Sequence, residues 1–452
     1  MRKHIIIVGA GVVGTTCAQR LSQDGHDVVI VERDEETARE LHDQLDVQVV
    51  SGDGCSLPAL REAQIDQADL LLAVTDSDEV NMITALIAGS MFDVDQKVIR
   101  LRNRDHLENL PELARSWPGK TTAINPDRVA ADRILSLVRI PEAVDVTDLL
   151  GGRVVVAGFR IDPNSPLIGK TLAELPQMFP EYKLLIPVIY RDGDALHSTG
   201  ETRIASGDVA YFASVREGIS SMLRALGRPV DITPRLVIGG GGDIGRMVAR
   251  GAIERGYHTT LIRRSLREAE RLAVELEQAL VLHGDVLNES LLLEAGIEHA
   301  TTFIAVTGEQ ETNLLSAVLA KRQGTPRAIA LVDNPTYLSV ADSMGINAVV
   351  SPRLASVSAI LRFVRGAHFE EVASLPQEKV EVSVVELDQD SPLTDRPLHT
   401  LGLPRGVIIA AIANGDDVVI PGGADVLRPG SRAVFFTPAK QAEKLAQLLE
   451  TR

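Results

Sequence analysis

The sequence predicts an α/β chain with two doubly wound parallel sheets, each followed by a small β-rich lobe. Three observations predict it. Short β-branched runs alternate with helical stretches, as in a parallel sheet buried on both faces. A glycine-rich turn follows the first run and opens a helix. The pattern then recurs in order in the second half of the chain.

In the first lobe, strands read at His4–Val8, Asp27–Val31, Val47–Val50, Leu70–Val74 and Val98–Leu101, with helices such as Gly14–Asp24 and Glu35–Leu45 between them. The next segment changes character. Its strands are short and alternating, and Arg191-Asp192-Gly193-Asp194 marks a turn between two of them. It closes on a helix at Val215–Leu226. The second half repeats this series at a nearly constant offset. Gly9 pairs with Gly240, Gly52-Asp53 with Gly284-Asp285, Ala73-Val74-Thr75 with Ala305-Val306-Thr307, Asn81 with Asn313, and Asn125-Pro126 with Ser351-Pro352. The turn at Ala413-Asn414-Gly415-Asp416 and the closing helix at Ala439–Leu449 complete the second copy. The expected domains are two doubly wound lobes at 1–140 and 233–366 and two β-rich lobes at 141–228 and 367–452, with Gly227-Arg228-Pro229 as a turn-rich junction.

Composition limits the function. With 452 residues the chain exceeds one hydrophobic core, which stops growing near ~250–300 residues. It carries 62 acidic against 46 basic residues, a net charge of −16, and only 3% aromatic residues. Nucleic acid calls for clustered cations and stacking rings, so it is not an expected ligand. Cys17 and Cys55 are too few for a disulfide framework or a zinc cluster and suit a reducing compartment. The initial apolar run breaks at Gly9 with no cleavage site, so no leader is expected. No window of about 18 uninterrupted apolar residues predicts a membrane span.

Gly9-Ala10-Gly11-Val12-Val13-Gly14 is a G-x-G-x-x-G run in the strand–turn–helix context that gives it meaning. Gly9 permits the tight turn, Gly11 admits a pyrophosphate against the backbone, and Gly14 lets helix and strand pack closely. The helix start offers free N–H groups and a positive dipole end to phosphate. Glu32 ends the second strand. An acid there accepts from adenine-ribose hydroxyls and repels a 2′-phosphate, so NAD(H) is expected over NADP(H). Asp53, Val74 and Thr75 stand at carboxyl ends of strands, where such sheets bind ligands. Arg100 lies within the fifth strand, a costly place for an unpaired cation. It bonds Asp53, a nucleotide phosphate or both, or it forms an internal structural ion pair.

The second loop, Gly240-Gly241-Gly242-Asp243-Ile244-Gly245, departs at the strand end, where Arg263 stands in place of Glu32. Arginine cannot accept from hydroxyls but pairs with phosphate. Three readings are open: a phosphorylated ligand, a weakly held adenine nucleotide, or a degraded site. The acidic runs Asp76-Ser77-Asp78-Glu79 and Glu32-Arg33-Asp34-Glu35-Glu36 read as solvated helix starts rather than metal sites. His4, His26 and His258 read as structural, and His197 and His399 have no evident catalytic partner. No catalytic residue is expected.

The order of units resembles the tandem peripheral regulators of Trk-type potassium uptake, the TrkA family with RCK (KTN) N-terminal and C-terminal domains. The motifs that carry the resemblance are Gly9-x-Gly11-x-x-Gly14, Gly52-Asp53-Gly54, Ala73-Val74-Thr75-x-x-Asp78-Glu79-x-Asn81-Met82 with its counterpart Ala305-Val306-Thr307-x-x-Gln310-Glu311-x-Asn313, and Pro166-Leu167-Ile168-Gly169-Lys170-Thr171-Leu172. The resemblance implies a Rossmann-like lobe in each half, a non-enzymatic gate controller, and NAD(H), with ATP or ADP as further ligands. It implies a place on the cytoplasmic face of the cell membrane, a membrane potassium-translocating subunit as partner, and a homotetramer. By position, the nucleotide residues are Gly9 to Gly14, Glu32, Asp53, Val74, Thr75 and Arg100. A second site uses Gly240 to Gly245, Arg263, Asp285, Val306 and Thr307, and Arg263 departs from the acid common there. The helix around Ala130–Val138, with its counterpart Ala355–Phe363, is similar to one that crosses to a neighbouring lobe in this family, which makes it the candidate dimer helix. Packing within the chain is the other reading. The competing functions are an NAD-dependent oxidoreductase and a soluble nucleotide sensor with a partner other than a transporter.

Overall fold

A strand run such as Ile5-Ile6-Ile7-Val8 can lose all its side chains from water only if both faces of its sheet are covered. In the first lobe this is achieved by β1 (His4–Val8), α1 (Val12–Gln23), β2 (Asp27–Glu32), α2 (Glu35–Gln44), β3 (Gln48–Ser51), α3 (Leu57–Glu62), β4 (Leu70–Ala73), α4 (Asp78–Phe92), β5 (Gln96–Arg100), α5 (Arg104–Leu113), β6 (Lys120–Ile124) and α6 (Pro126–Arg139). The computed structural model describes residues 2–140, 142–178, 184–196, 198–227, 233–341, 343–364, 369–375, 380–389 and 391–450. Arg228 and Pro229 of the junction, and His197, lie outside them. The strand order is β3-β2-β1-β4-β5-β6, all parallel, so the chain reverses its direction of winding between β1 and β4. Ligands of doubly wound sheets bind in the crevice beyond the strand ends at that reversal.

The first β-rich lobe contains β7 (Ala143–Leu149), β8 (Val154–Arg160), α7 (Leu175–Met178), β9 (Leu185–Arg191), β10 (Asp194–Leu196), β11 (Val209–Val215) and α8 (Ile219–Ala225). Its sheet is antiparallel in the order β10-β9-β11-β8-β7. The predicted turn closes the β9–β10 hairpin, pairing Arg191 with Asp194, with Asp192 and Gly193 at positive φ.

The second doubly wound lobe repeats the first: β12 (Arg235–Gly239), α9 (Asp243–Glu254), β13 (His258–Arg263), α10 (Leu266–Glu275), β14 (Leu280–His283), α11 (Glu289–Glu294), β15 (Thr302–Ala305), α12 (Gln310–Arg322), β16 (Ala328–Leu331), α13 (Pro335–Ala341), β17 (Ala348–Val350) and α14 (Pro352–Val364). Its parallel order, β14-β13-β12-β15-β16-β17, is that of the first lobe. The last lobe holds β18 (Phe369–Ser374), β19 (Val380–Glu386), β20 (Ile408–Asn414), β21 (Asp417–Val419), β22 (Arg432–Pro438) and α15 (Ala442–Glu450), an antiparallel sheet in the order β18-β19-β22-β20-β21.

The chain forms two compact units, residues 1–131 with 351–364 and residues 132–350 with 365–452. In the first unit α14 packs along α1. Val357, Ile360, Leu361 and Val364 join Ile5, Cys17, Leu21 and Ile30 in one core. Burial there pushes the Cys17 thiol up to about 12. In the second unit the end of α6 lies on the second doubly wound lobe, where the Leu135 side chain occupies the space a Cβ on Gly251 would need. Arg327, 3% exposed, donates to the carbonyls of Leu137 and Ile140 at 2.7 and 3.0 Å and to that of Ala143. The Leu137 and Ile140 carbonyls lie at the end of α6, where acceptors lack intrahelical partners, and Ala143 opens β7. Burial pushes its guanidinium down to about 10, so it remains a cation at neutral pH. Within the second unit, the end of the helix read as a candidate dimer helix thus packs on residues of its own chain. Among the described residues no helix is long and apolar enough to cross a membrane.

Candidate functional site

The first glycine loop is fixed by close approach. A Cβ on Gly14 would lie 1.9 Å from the Gly9 carbonyl oxygen, and one on Gly9, at φ +100°, would lie 3.0 Å from Thr75 backbone atoms. Gly11 differs, because a Cβ there meets nothing within 4 Å. Gly11 is the N-cap of α1 and no side chain caps that helix, whereas Asp34 caps α2 and Ser77 caps α4. Val12 is exposed and Val13 buried. The first turn of α1 therefore presents its N–H groups beside open space.

Glu32 lies across this loop. Its carboxylate accepts from the N–H of Ala10 at 2.7 Å and of Asp34 at 2.9 Å. Both bonds fix the carboxylate at the lip of the crevice while other acceptor positions remain. Asp53 closes its own turn, accepting from Cys55 N–H at 2.8 Å. Val74 is buried beyond the end of β4, and Thr75 is stapled by Asn81. Asn81 Oδ1 accepts from the Thr75 N–H and hydroxyl at 2.9 and 2.7 Å, while Nδ2 donates to the carbonyls of Thr75 and Arg100. Asn81 belongs to the repeated motif but not to the predicted site residues; its recurrence as Asn313 was the available signal.

Arg100 is 5% exposed, and its partner is not Asp53. Nη1 donates to Asp76 Oδ1 at 2.8 Å and to the Thr75 carbonyl at 3.3 Å. The bond from Arg100 holds the Asp76 carboxyl below the usual carboxylate range, with Arg102 and Arg353 adding to the effect. Asp53 is excluded as the partner because its carboxylate turns back onto its own loop. Among the described residues no hydrogen-bond partner reaches the buried Arg100 Nε.

The second loop keeps the scaffold and changes the chemistry. A Cβ on Gly245 would lie 1.9 Å from the Gly240 carbonyl oxygen, and Gly242 faces open space. Asp285 accepts from Leu287 N–H as Asp53 does from Cys55. Val306 is buried, and Asn313 staples Thr307 and reaches the Leu331 carbonyl. The stem of Arg263 instead covers Gly241, since its Cδ lies 3.2 Å from where a Cβ there would stand. Its guanidinium donates to Glu268, Nε at 2.8 Å and Nη2 to the same oxygen. That pairing holds the Glu268 carboxyl below its usual range. Asp243, at the start of α9, pairs with Arg246 at 3.0 Å, and Ile244 is half-buried. The sequence reading noted Arg263 but missed two further departures. Leu331 replaces Arg100 and Gly308 replaces Asp76.

The acidic runs serve local structure. Asp34 accepts from Thr37 N–H, and Asp78 accepts from the N–H groups of Arg102 and Asn103. Among the described residues no group of three or more His, Cys, Asp or Glu could hold a metal ion.

Two parallel nucleotide-type lobes, each followed by an antiparallel lobe, define a tandem regulatory-domain architecture. The TrkA-N domain profile matches residues 5–116 and 236–352, and the TrkA-C domain profile matches 156–227 and 382–450. The Trk system potassium uptake protein TrkA of Azorhizobium caulinodans is 35% identical over 450 residues, 98% of each chain. That of Vibrio alginolyticus is 32% identical over 441 residues, 97% of this chain and 96% of the relative. The chain belongs to the TrkA family of Trk system potassium uptake proteins. In structure it is similar to the RCK domain of GsuK (TM-score 0.60, 21% identity, 100% of this chain and 96% of that one) and to the GsuK channel bound to NAD (TM-score 0.61, 20% identity, 100% and 80%).

Proposed function

We propose that this chain is a peripheral cytoplasmic regulatory subunit that binds NAD(H) in its first lobe and gates a membrane potassium-uptake subunit. One observation carries the reading. Glu32 is held across the glycine loop by Ala10 and Asp34 N–H groups, beside a Gly11 that faces open space. In this reading Gly9 to Gly14 and the start of α1 receive the diphosphate, Glu32 the adenine ribose, and Asp53, Val74, Thr75 and Arg100 line the remainder. ATP or ADP uses the same crevice. The second lobe, with Gly240 to Gly245, Arg263, Asp285, Val306 and Thr307, is the weaker adenine-nucleotide site, because Arg263 cannot accept from ribose hydroxyls. Family membership supports the potassium-uptake partner, and the NAD-bound GsuK relative supports the cofactor. The functional division is 1–140, 141–228, 233–366 and 367–452, the assembly a homotetramer and the role non-enzymatic.

The test is calorimetry of NADH, NADPH and ATP on wild type, Glu32→Ala and Arg263→Ala. Glu32→Ala loses about tenfold or more in NADH affinity, ~1.4 kcal/mol, and less in ATP affinity. Arg263→Ala leaves the NADH site intact. NADH affinity unchanged in Glu32→Ala overturns the assignment.

A further inference from the structure

The two doubly wound lobes share a topology, yet the turn after the second strand carries opposite charge in each. The first lobe places Glu32, Asp34, Glu35 and Glu36 there around one cation, Arg33. The second places Arg263, Ser265, Leu266 and Arg267 around Arg264. Its one acid, Glu268, stands where Thr37 is and engages Arg263, whose Nε and Nη2 both donate to Oε2. A guanidinium has further N–H donors beyond those two, so Arg263 keeps some to offer.

The other cations are held loosely. Arg264 and Arg267 are exposed. Arg264 reaches toward Glu309, just before α12, at 3.8 Å, with side chains 74% and 60% exposed. An ion pair so long and so wet contributes little and yields to a better anion. β12 lies between β13 and β15, so this contact spans the mouth of the crevice above the second glycine loop. His283 stands beside Arg263 in the β13–β14 register. Ser265 caps no N–H of α10, whereas its counterpart Asp34 caps α2. Three neighbouring guanidiniums repel one another unless an anion joins them.

We propose that the second doubly wound lobe takes an adenine dinucleotide bearing a 2′-phosphate, NADP(H), with that phosphate held by Arg263, Arg264, Ser265 and Arg267. This rests on the reading of the second crevice as a nucleotide site. The end of the second strand is where this fold meets the adenine ribose, with an acid for the 2′-hydroxyl or an arginine for a 2′-phosphate. Guanidinium groups grip phosphate by paired, charge-assisted hydrogen bonds, and a serine hydroxyl can add one more donor. The two halves of the chain thus carry sites for two different dinucleotide pools.

The experiment is calorimetry on the full chain, with NADPH titrated into protein already loaded with NADH: wild type, Arg264→Gln, Arg267→Gln, the double variant Arg264→Gln/Arg267→Gln, and Arg322→Gln. NADPH is expected to bind the loaded wild type at one site per chain, at least tenfold more tightly than ATP does. The double variant weakens NADPH about tenfold or more, ~1.4 kcal/mol, with each single variant between, and leaves NADH affinity unchanged. Arg322→Gln, an exposed neutralisation at the far end of α12, changes neither. Adenosine 2′,5′-bisphosphate displaces NADPH at concentrations where AMP and inorganic phosphate do not. NADPH no tighter than ATP, an affinity that survives the double variant, or equal displacement by inorganic phosphate overturns the 2′-phosphate site. Binding of neither NADPH nor ATP to the loaded protein overturns the second-lobe nucleotide reading itself, and the proposal with it.

Discussion

Glycines that look alike in sequence do different work, and the spaces around them separate the roles. Gly14 has the Gly9 carbonyl oxygen 1.9 Å from any added Cβ, while Gly11 has nothing within 4 Å and an ordinary φ of −65°. Gly14→Ala is expected to destabilise the first unit by about 1–3 kcal/mol through overpacking, seen as a lower midpoint in chemical denaturation. Gly11→Ala is expected to leave that midpoint unchanged and, on the proposed reading of the loop as the diphosphate site, to weaken NADH binding by placing a methyl in its open space. Reversal of the two outcomes would remove the ligand from this face of the loop. The sequence disclosed Glu32 and Arg263 at strand ends because their positions follow from the G-x-G-x-x-G offset. It did not disclose what they bond. The Ala10–Glu32 contact spans 22 positions, and Arg263 finds Glu268 only once α10 turns that acid back toward the strand. Asp76 reads in the sequence as part of a solvated acidic run, and its pairing with Arg100, 24 positions away, carries no periodic signal.

Strands and helices were legible where their pattern is local. The parallel strands read as apolar runs, and the hairpin turns as Asp-Gly and Asn-Gly. Periodicity marks α6 and α14 as amphipathic but cannot say which lobe covers them, since any apolar face satisfies the stripe. Arg327 is the element-scale consequence, a buried cation holding the carbonyls of Leu137 and Ile140 at the end of α6 and of Ala143 at the start of β7. Arg327→Leu removes this donor from all three carbonyls, at about 1–3 kcal/mol for each one left unsatisfied, and is expected to lower the melting temperature of the second unit. An unchanged melt would show that the α6 terminus finds other donors. Alkaline pH acts on both units in one direction. Burial raises the Cys17 thiol to about 12 and, aided by Asp145, the Tyr190 phenol to about 12. The folded state thus keeps protons that the unfolded chain releases from pH ~9 for the thiol and ~10 for the phenol. Stability is present below those values and lost as pH rises through them toward 12. Melting temperatures measured from pH 8 to 11 should fall, and a thiol reagent should reach half-buried Cys55 before Cys17.

Duplication made two scaffolds of one topology and left them chemically unequal. One carries Glu32, Asp76 and Arg100. The other carries Arg263 tied to Glu268, with Gly308 and Leu331. A chain so divided is expected to take one NADH at high affinity per protomer, and titration to two equal sites would contradict the inequality. Regulation then has a thermodynamic condition. A nucleotide can move a gate only by its difference in affinity for two arrangements, and a tenfold difference supplies about 1.4 kcal/mol at each site. That coupling is reciprocal. If NADH alters association with the membrane potassium-translocating subunit by a given factor, the bound subunit must alter NADH affinity by the same factor. Calorimetry of NADH with and without the detergent-solubilised partner measures one side, and partner affinity with and without NADH measures the other. Unequal factors would mean that a third ligand is exchanged in the cycle. Factors of one on both sides would mean that NADH binding and gate control are separate properties of this chain.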